Sequence, residues 1–178
     1  MNIIKKNKII KIVSFKKRYI TKKFVNSLNN KSINKYLNVR RIKQNKKTAL
    51  EFLESVRKRR DHYLAILNDK NLLIGTITLS KVTEKKFIKY WTDKKLKWNK
   101  DIIYIGFMIS NPKYFGTKQS KDSFKMGLSI AFDHLKAKIV LAGTDIRNIS
   151  SNFNLITNGF KMYKKTTKEF FFMLRRKR

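Results

Sequence analysis

The middle of the chain predicts a buried strand, a short loop and a long helix, in that order. Residues 102–109, IIYIGFMI, are almost wholly apolar, which is typical of a buried strand. The loop NPKYFGTKQSK, residues 111–121, contains the only proline of the chain and one of its six glycines. Apolar residues then recur at helical spacing: Phe124, Leu128, Ala131, Phe132 and Leu135. Because the first N–H groups of a helix lack internal partners, this junction can bind an anion. The alternative is a plain connection in which the glycine only relieves a turn.

Composition predicts one folded domain, residues 1–178, rather than a disordered chain. With 178 residues and 42% apolar side chains, the chain can bury a sizeable core. The absence of cysteine excludes disulfides, thiolate zinc sites and a cysteine nucleophile. The two histidines, His62 and His134, are far apart in sequence, so no metal site is expected. The first residues lack the uninterrupted apolar core of a signal peptide, and no segment reaches membrane-spanning length, so we expect a cytoplasmic protein.

The net charge of +33 marks a strongly basic protein. Such a charge attracts polyanions, including nucleic acid, nucleotides and anionic membrane surfaces. The basic residues are mostly lysines spread from end to end, among many asparagines and isoleucines. This pattern is equally typical of a protein encoded by a genome rich in A and T. The charge alone therefore assigns no function, and a basic nucleic-acid-binding module remains an alternative.

Periodicity and capping residues predict the remaining elements. Thr21 can cap a first helix, whereas Thr48 and Glu51 predict a capping box at the start of a second, residues 48–60. A further helix is expected near residues 150–158. The expected strands are residues 9–15, 62–68, 71–80, 102–110, 138–144, 159–165 and 169–174. Strands outnumber those of alternating βαβ units, which favours a mixed α/β sandwich over a doubly wound sheet.

Two motifs then point to a known family. The stretch Lys113-Tyr114-Phe115-Gly116-Thr117-Lys118 stands where that family has Gln/Arg-x-x-Gly-x-Gly/Ala, between a strand and a helix. The stretch NISSNFNLITNGF has the family's Asn-x-x-Ser, seven residues, then Gly-Phe, here Asn148, Ser151, Gly159 and Phe160. With these motifs the chain resembles the GNAT superfamily of N-acetyltransferases, in the branch similar to ribosomal-protein alanine N-acetyltransferases and to amino-sugar acetyltransferases of surface-glycan synthesis. The resemblance covers nearly the whole chain and implies a central mixed, mostly antiparallel sheet flanked by helices.

The resemblance implies acetyl-CoA as cosubstrate and no metal. The loop N–H groups would bind its pyrophosphate, from Phe115, Gly116, Thr117, Lys118, Gln119 and Ser120. Lys113 or Lys118 would add positive charge. The preceding strand would bind pantetheine through Met108, Ile109 and Ser110. An N–H near Phe107 or Met108 would then polarise the thioester carbonyl, as an oxyanion stabiliser does.

The resemblance also implies catalytic roles around the second motif. Ser151 would protonate the leaving thiolate, and Asn148 would lie on the cofactor side or order a water. The alternative for this motif is ordinary helix capping, by Asn148 and Ser150. Tyr104 stands where many relatives have a strand glutamate that serves as base. The base is left open among Tyr104, Asp145, Asp101 and Glu84, with His62 as a further alternative that is more often structural.

The chain departs from the family pattern at three positions. Lys118 replaces the last small residue of the loop, and this lysine either crowds a phosphate or binds it. Leu155 occupies the position where many relatives have a tyrosine near the sulfur, which excludes a tyrosine acid there. Tyr104 is the third departure, because it replaces the strand glutamate.

The resemblance implies a primary amine as acceptor. It favours an amino-sugar on a nucleotide carrier, because the segments NVRRIKQNKKTALEFLES and AGTDIRNISSNFNL are similar to enzymes that acetylate such sugars in bacterial surface-glycan synthesis. Residues 84–100 interleave lysines with Phe87, Tyr90, Trp91 and Trp98, which is typical of a surface that stacks a nucleobase. The alternative is a loop or short amphipathic helix whose aromatic side chains fold onto the core. A protein N-terminal amine is the second acceptor, and the oligomeric state is either a monomer or a homodimer.

Overall fold

The computed structural model describes residues 3–37, 42–91 and 97–176. The strands in these ranges are β1 Ile3–Lys6, β2 Ile10–Ser14, β3 His62–Asn68, β4 Leu73–Lys81, β5 Ile102–Ile109, β6 Ile139–Asp145, β7 Lys161–Lys165 and β8 Glu169–Arg175. The helices are α1 Lys22–Asn29, α2 Lys31–Asn34, α3 Lys46–Lys58, α4 Glu84–Trp91, α5 Lys118–Ser129 and α6 Ile149–Thr157. A π-helical segment, Ile130–His134, continues α5.

The strands form one mixed sheet in the order β1-β2-β3-β4-β5-β6-β8-β7. The pairs β1–β2, β2–β3, β6–β8 and β7–β8 are antiparallel, whereas β5–β6 is parallel. This α/β fold, with a mostly antiparallel sheet flanked by helices, confirms the architecture that the two motifs imply.

The chain divides into two compact units, and β4 and β5 run through both. The first unit comprises Met1–Thr78 and Phe107–Gly127. Its core packs α1 and α3 against β2 and β3, through residues that are each at most 8% exposed. These are Val13, Phe15, Ile20, Phe24, Leu28, Ala49, Leu53, Ala65 and Leu67.

The second unit comprises Leu79–Gly106 and Leu128–Arg178. Its core includes a cluster in which α4 packs on strands β5, β6 and β8. The buried residues of this cluster are Val82, Phe87, Trp91, Ile102, Ile139, Leu141 and Phe171. Trp91 makes edge contacts with the rings of Tyr104 and Phe171, at centroid distances of 5.7 and 5.3 Å.

Capping residues explain where the helices begin, with one correction to the prediction. Thr21 caps α1 as predicted, because its side chain accepts a hydrogen bond from the Phe24 N–H. The predicted capping box of Thr48 and Glu51 is wrong. Asn45 caps α3, and it exchanges side-chain and backbone hydrogen bonds with Thr48. The helix therefore starts earlier, at Lys46.

Two other elements differ from the prediction, and a third segment follows the predicted alternative of a short amphipathic helix. Strand β1 was not expected, because its short run IIKK has no alternation to distinguish it from a loop. Helix α5 begins at Lys118, several residues before the apolar spacing starts. Residues 84–91 form helix α4, with Phe87 and Trp91 buried, so these two aromatic residues fold onto the core. Residues 92–96 and the side chain of Tyr90 lie outside the described part.

Candidate active site

Near the end of β5, the backbone N–H groups point alternately toward β4 and away from it. The Ser110 N–H donates to the Ile74 carbonyl at 2.9 Å, so it is not available to a ligand. Because N–H groups alternate in direction along a strand, that of Met108 also points toward β4. The N–H groups of Phe107 and Ile109 point the other way. The strand groups expected to bind pantetheine are thereby reduced to these two N–H groups and the side chains.

Strand β4 lies unusually close to this part of β5. A Cβ at Gly75 would stand 2.5 Å from the Met108 carbonyl oxygen and 3.2 Å from the Ile109 Cα. Only glycine therefore fits at this position without a shift of the backbone. Gly75, in the segment LLIGTITL that also resembles a strand of the GNAT family, thus allows the end of β5 to approach β4 closely.

Pairing between β5 and β6 stops before either strand ends. The parallel register runs from Ile102 opposite Ile139 to Tyr104 opposite Leu141. Strand β5 continues to Ile109 and β6 to Asp145. The backbone of β5 beyond Tyr104 is therefore outside this ladder, as the resemblance implies for the strand that binds pantetheine.

The loop after β5 is a short 3₁₀ turn, Pro112–Tyr114, followed by Gly116 and the start of α5. Gly116 has φ of +70°, in the left-handed region that favours glycine. No heavy atom lies within 4 Å of the position that a Cβ would take there. The backbone at Gly116 is therefore open to an approaching group.

The loop N–H groups divide into those already bonded and those without a partner. Phe115 donates to the Pro112 carbonyl at 3.0 Å, Thr117 donates to the Tyr114 carbonyl at 3.4 Å, and Ser120 donates to the Thr117 hydroxyl at 3.4 Å. In the described ranges, no acceptor lies within hydrogen-bond distance of the N–H groups of Gly116, Lys118 and Gln119. Of the N–H groups from Phe115 to Ser120 that were expected to bind the pyrophosphate, these three are therefore the ones available to a ligand.

The loop carries positive charge and little negative charge. Lys113, Lys118 and Lys121 are exposed. Asp122, the acidic side chain of this segment, accepts a hydrogen bond from the Asn7 side chain at 3.2 Å. A helix N-terminus, free N–H groups and lysines together favour an anion at this junction. All of these residues lie in the first unit.

Tyr104 lies in the second unit, in the cluster around Trp91. Its hydroxyl is 3.5 Å from the position that a Cβ of Gly143 would occupy. Burial raises the pKa of Tyr104, a backbone hydrogen bond at Gly143 opposes the rise, and the charge of Glu169 adds to it. The hydroxyl therefore remains protonated at neutral pH, which suits a hydrogen-bond donor and does not suit a base.

Asn148 and Ser151 also lie in the second unit, at the start of α6. Asn148 is the N-cap, and its side-chain oxygen accepts from the Ser151 N–H at 3.2 Å. The capping alternative therefore holds for Asn148. The Ser151 hydroxyl is half-buried, and it has no hydrogen-bond partner among the residues that the structure describes.

Asn152 is a site residue that the sequence reasoning missed. This buried side chain accepts a hydrogen bond from the Thr144 hydroxyl and donates to the Ile146 carbonyl at 3.1 Å. It thereby ties the first turn of α6 to the end of β6. The only sequence signal was its place directly after the Asn-x-x-Ser motif, next to Ser151.

The candidate bases differ in whether a positively charged side chain is paired with them. Asp101 binds Lys138 at 2.8 Å, and this hydrogen bond lowers the pKa of the carboxyl. Asp145 makes two side-chain hydrogen bonds with Arg147, at 2.7 and 2.9 Å. Glu84 and His62 are exposed. Ion pairing thus disfavours the two aspartates as bases at neutral pH, and Glu84 and His62 remain open.

Among the described aromatic side chains of the 84–100 segment, one remains at the surface. Trp98 is 39% exposed, and its indole N–H donates to the Val82 carbonyl at 2.8 Å. This bond fixes the edge of the ring while part of its face stays accessible. The neighbouring Lys97 and Lys100 are exposed.

The described ranges contain neither a candidate metal site nor a candidate membrane-spanning helix. No three His, Asp or Glu side chains in these ranges come close enough to hold a metal ion. None of the helices in the described part is long and apolar enough to span a bilayer.

Comparisons with known proteins bear on this arrangement. No family model matches the sequence, and no curated protein matches it significantly. The structure is similar to a GNAT-family acetyltransferase from Bacillus anthracis, at 14% identity and a TM-score of 0.74, with 96% of each chain covered. It is also similar to the ribosomal-protein-S5-alanine acetyltransferase from Vibrio fischeri, at 12% identity and a TM-score of 0.66, with 98% of this chain and 97% of the other covered.

A third similar structure is FdhC, a nucleotide-linked sugar GNAT, at 14% identity and a TM-score of 0.69, with 94% of this chain and 87% of the other covered. At identities this low, the likeness shows the fold alone. The chain therefore has the fold of the GNAT acetyltransferases, in agreement with the resemblance that its two motifs carry.

Proposed function

We propose that this protein is an N-acetyltransferase that moves the acetyl group of acetyl-CoA to a primary amine. The observation that carries the proposal is the junction between β5 and α5. There the N–H groups of Gly116, Lys118 and Gln119 have no acceptor among the described residues, and they lie among exposed lysines. A pyrophosphate supplies both the acceptor oxygens and the negative charge that such a junction binds.

Strand β5 would bind the rest of the cosubstrate. Pantetheine carries amide groups that can pair with a strand edge in the manner of an added strand. The backbone groups of Phe107 and Ile109 that point away from β4 suit this role. The Phe107 N–H is the stronger candidate to polarise the thioester carbonyl, because the Met108 N–H points toward β4.

Acetyl transfer requires a base, a stabilised oxyanion and an acid. The thioester supplies an activated acyl group. The neutral acceptor amine forms a C–N bond with the carbonyl carbon, the C–S bond breaks, and the amine proton passes to a base. We assign the protonation of the leaving thiolate to the Ser151 hydroxyl. Tyr104, which remains protonated, would act as a hydrogen-bond donor.

For the acceptor, we favour an amino-sugar carried on a nucleotide. The similarity to a nucleotide-linked sugar GNAT supports this choice. Trp98 supports it as well, because a fixed indole with an accessible face, flanked by Lys97 and Lys100, suits a nucleobase and its phosphates. The second candidate acceptor is a protein N-terminal amine, which the similarity to a ribosomal-protein-S5-alanine acetyltransferase favours.

A calorimetric titration of acetyl-CoA into the purified protein tests the proposal. The salt concentration should be moderately high, so that non-specific attraction to the basic chain is screened. We expect saturable binding with one cosubstrate per chain. Absence of binding would contradict the assignment of the loop and favour the nucleic-acid-binding alternative.

Acceptors can then be compared under saturating acetyl-CoA. We expect acetylation of a nucleotide-linked amino-sugar, measured as release of free thiol. Acetylation of an N-terminal peptide and not of the sugar would establish the second candidate. For the alternative of another class, a steep fall of oligonucleotide affinity with salt, without thiol release from any amine, would indicate nucleic-acid binding.

A further inference from the structure

A chain of hydrogen bonds links the β3–β4 hairpin to the loop before α5. The Asn68 side chain donates from Nδ2 to the Tyr114 hydroxyl oxygen at 2.9 Å. Asn68 is only 4% exposed, whereas Tyr114 is half-buried. The two residues are 46 positions apart in sequence, so this bond is a tertiary contact within the first unit.

The hairpin holds Asn68 by its remaining polar groups. Its side-chain oxygen accepts from the Leu72 N–H at 2.8 Å, and its own N–H donates to the Leu72 carbonyl at 3.0 Å. Its carbonyl accepts from the Asn71 N–H at 3.0 Å. Because these bonds fix both its backbone and its amide plane, Nδ2 is presented to Tyr114 in one orientation.

Tyr114 in turn determines the path of the loop into α5. Its carbonyl accepts from the Thr117 hydroxyl at 3.0 Å and from the Thr117 N–H at 3.4 Å. Thr117 starts the helix, because its carbonyl accepts from the Lys121 N–H at 3.1 Å. Gly116, with its open backbone, lies between Tyr114 and Thr117. A shift of Tyr114 would therefore move the free N–H groups on both sides of Thr117.

We propose that Tyr114 is a positioning residue for the phosphate loop, and that Asn68 holds it in place through the phenol hydroxyl. This inference rests on the proposed function. The pair fixes the loop before the cosubstrate arrives, so that less conformational entropy is lost on binding. Tyr114 touches the loop and not the reacting atoms, so its effect falls on cosubstrate affinity and not on the chemical step.

The matched variants are Tyr114→Phe and Asn68→Asp. Tyr114→Phe removes the hydroxyl and leaves the ring, whereas Asn68→Asp keeps an oxygen for the Leu72 N–H and offers a second oxygen to which the Tyr114 hydroxyl can donate. We expect Tyr114→Phe to weaken acetyl-CoA binding about three- to tenfold, in keeping with the loss of one net hydrogen bond. Asn68→Asp keeps a bond to Tyr114 but adds a negative charge next to the loop, so we expect it to weaken acetyl-CoA binding more at low salt than at high salt. The double variant should bind no better than Tyr114→Phe.

Two readouts separate positioning from a structural role. Turnover at saturating acetyl-CoA should be unchanged in Tyr114→Phe while its KM rises. Without any cosubstrate, amide hydrogen exchange should be faster at Phe115, Thr117 and Lys121, whose N–H groups are hydrogen-bonded in the loop and the first turn of α5. Equal affinity and equal exchange in Tyr114→Phe and the wild type would overturn the inference. If the wild type itself does not bind acetyl-CoA, the proposed function fails. Hydrogen exchange alone then decides whether Tyr114 positions the loop.

Discussion

Two strand-to-helix junctions of the described chain differ in how their polar groups are used. At the first, β5 leads into α5 through residues 110–117. At the second, β6 leads into α6 through residues 146–148. Each ends at a side chain that caps the helix, Thr117 in one and Asn148 in the other.

The second junction is closed by its own side chains. Arg147 pairs with Asp145 at 2.7 Å, so its charge is compensated locally. Asn148 accepts from the Ser151 N–H, and Asn152 binds the Ile146 carbonyl. The first junction instead leaves the N–H groups of Gly116, Lys118 and Gln119 without acceptors among the described residues.

The difference indicates what a helix start needs in order to bind an anion. A helix N-terminus is available only when neighbouring side chains leave its N–H groups free and its positive charges uncompensated. The first junction meets both conditions. The second meets neither fully, and its rigidity instead suits a fixed catalytic hydroxyl at Ser151.

The largest expected effect is the loss of acetyl-CoA binding in Gly116→Glu. A glutamate there would place a negative charge in the open space over the loop and strain a backbone with φ of +70°. We expect affinity to fall at least a hundredfold in a calorimetric titration, with the far-UV circular dichroism spectrum unchanged.

Gly159→Ala is the matched control, because Gly159 has φ of +84° in the other unit. We expect it to lose stability by about 1 kcal/mol through backbone strain and to retain wild-type affinity. Wild-type affinity in Gly116→Glu would mean that the first junction is a plain connection, and the contrast between the two junctions would disappear.

The next effect concerns the second junction, where Ser151→Ala removes the proposed acid. We expect turnover to fall at least about tenfold, within the usual range for general acid catalysis, while acetyl-CoA affinity changes little. Steady-state kinetics measure the turnover, and calorimetry measures the acetyl-CoA affinity. Ser150→Ala, an exposed neighbour on the same helix turn, should retain wild-type turnover. Equal turnover in Ser151→Ala and the wild type would leave this junction with a structural role only.

Tyr104→Phe tests whether the strand before the second junction supplies a base or a donor. We expect turnover to fall about three- to tenfold, as for the loss of one neutral hydrogen bond. Because burial raises the pKa of Tyr104 above its usual value of 10.0, the group is protonated in both folded and unfolded chains from pH 6 to 9. The ratio of variant to wild-type turnover should therefore be constant over that range. Loss of a titrating limb in the variant would identify Tyr104 as the base.

The sequence predicted the first junction better than the second. A proline, a glycine and a change from strand to helical spacing were enough to predict a loop here, although the predicted range, residues 111–121, includes the first turn of α5. Which N–H groups are already bonded could not be predicted, because the acceptors at Pro112 and Tyr114 depend on a 3₁₀ turn. The bond between Asn68 and Tyr114 joins residues far apart in sequence, so no local pattern indicates it.

At the second junction, the motif identified Asn148 and Ser151 but not the groups with which they form hydrogen bonds. Asn148 was weighed as both a functional and a capping residue, and only the geometry shows its bond to the Ser151 N–H. Asn152 was missed because its role depends on a hydrogen bond from the Thr144 hydroxyl. The sequence does not indicate that these two side chains lie side by side. The capping box of α3 was misplaced for a related reason, since Asn45 and Thr48 are as good a pair as Thr48 and Glu51 by sequence alone.

The smallest expected effect on acetyl-CoA affinity comes from removing one positive charge at each junction. Lys118→Ala removes an exposed cation at the first, and Arg147→Ala removes a cation that is paired with Asp145 at the second. We expect Lys118→Ala to weaken acetyl-CoA binding about two- to fivefold at low salt, as for an exposed ion pair, and the difference to vanish at high salt. Arg147→Ala should leave the affinity unchanged at both salt concentrations. Tighter binding in Lys118→Ala would mean that the lysine crowds the phosphate, and the free N–H groups alone would then account for the preference of the first junction for an anion.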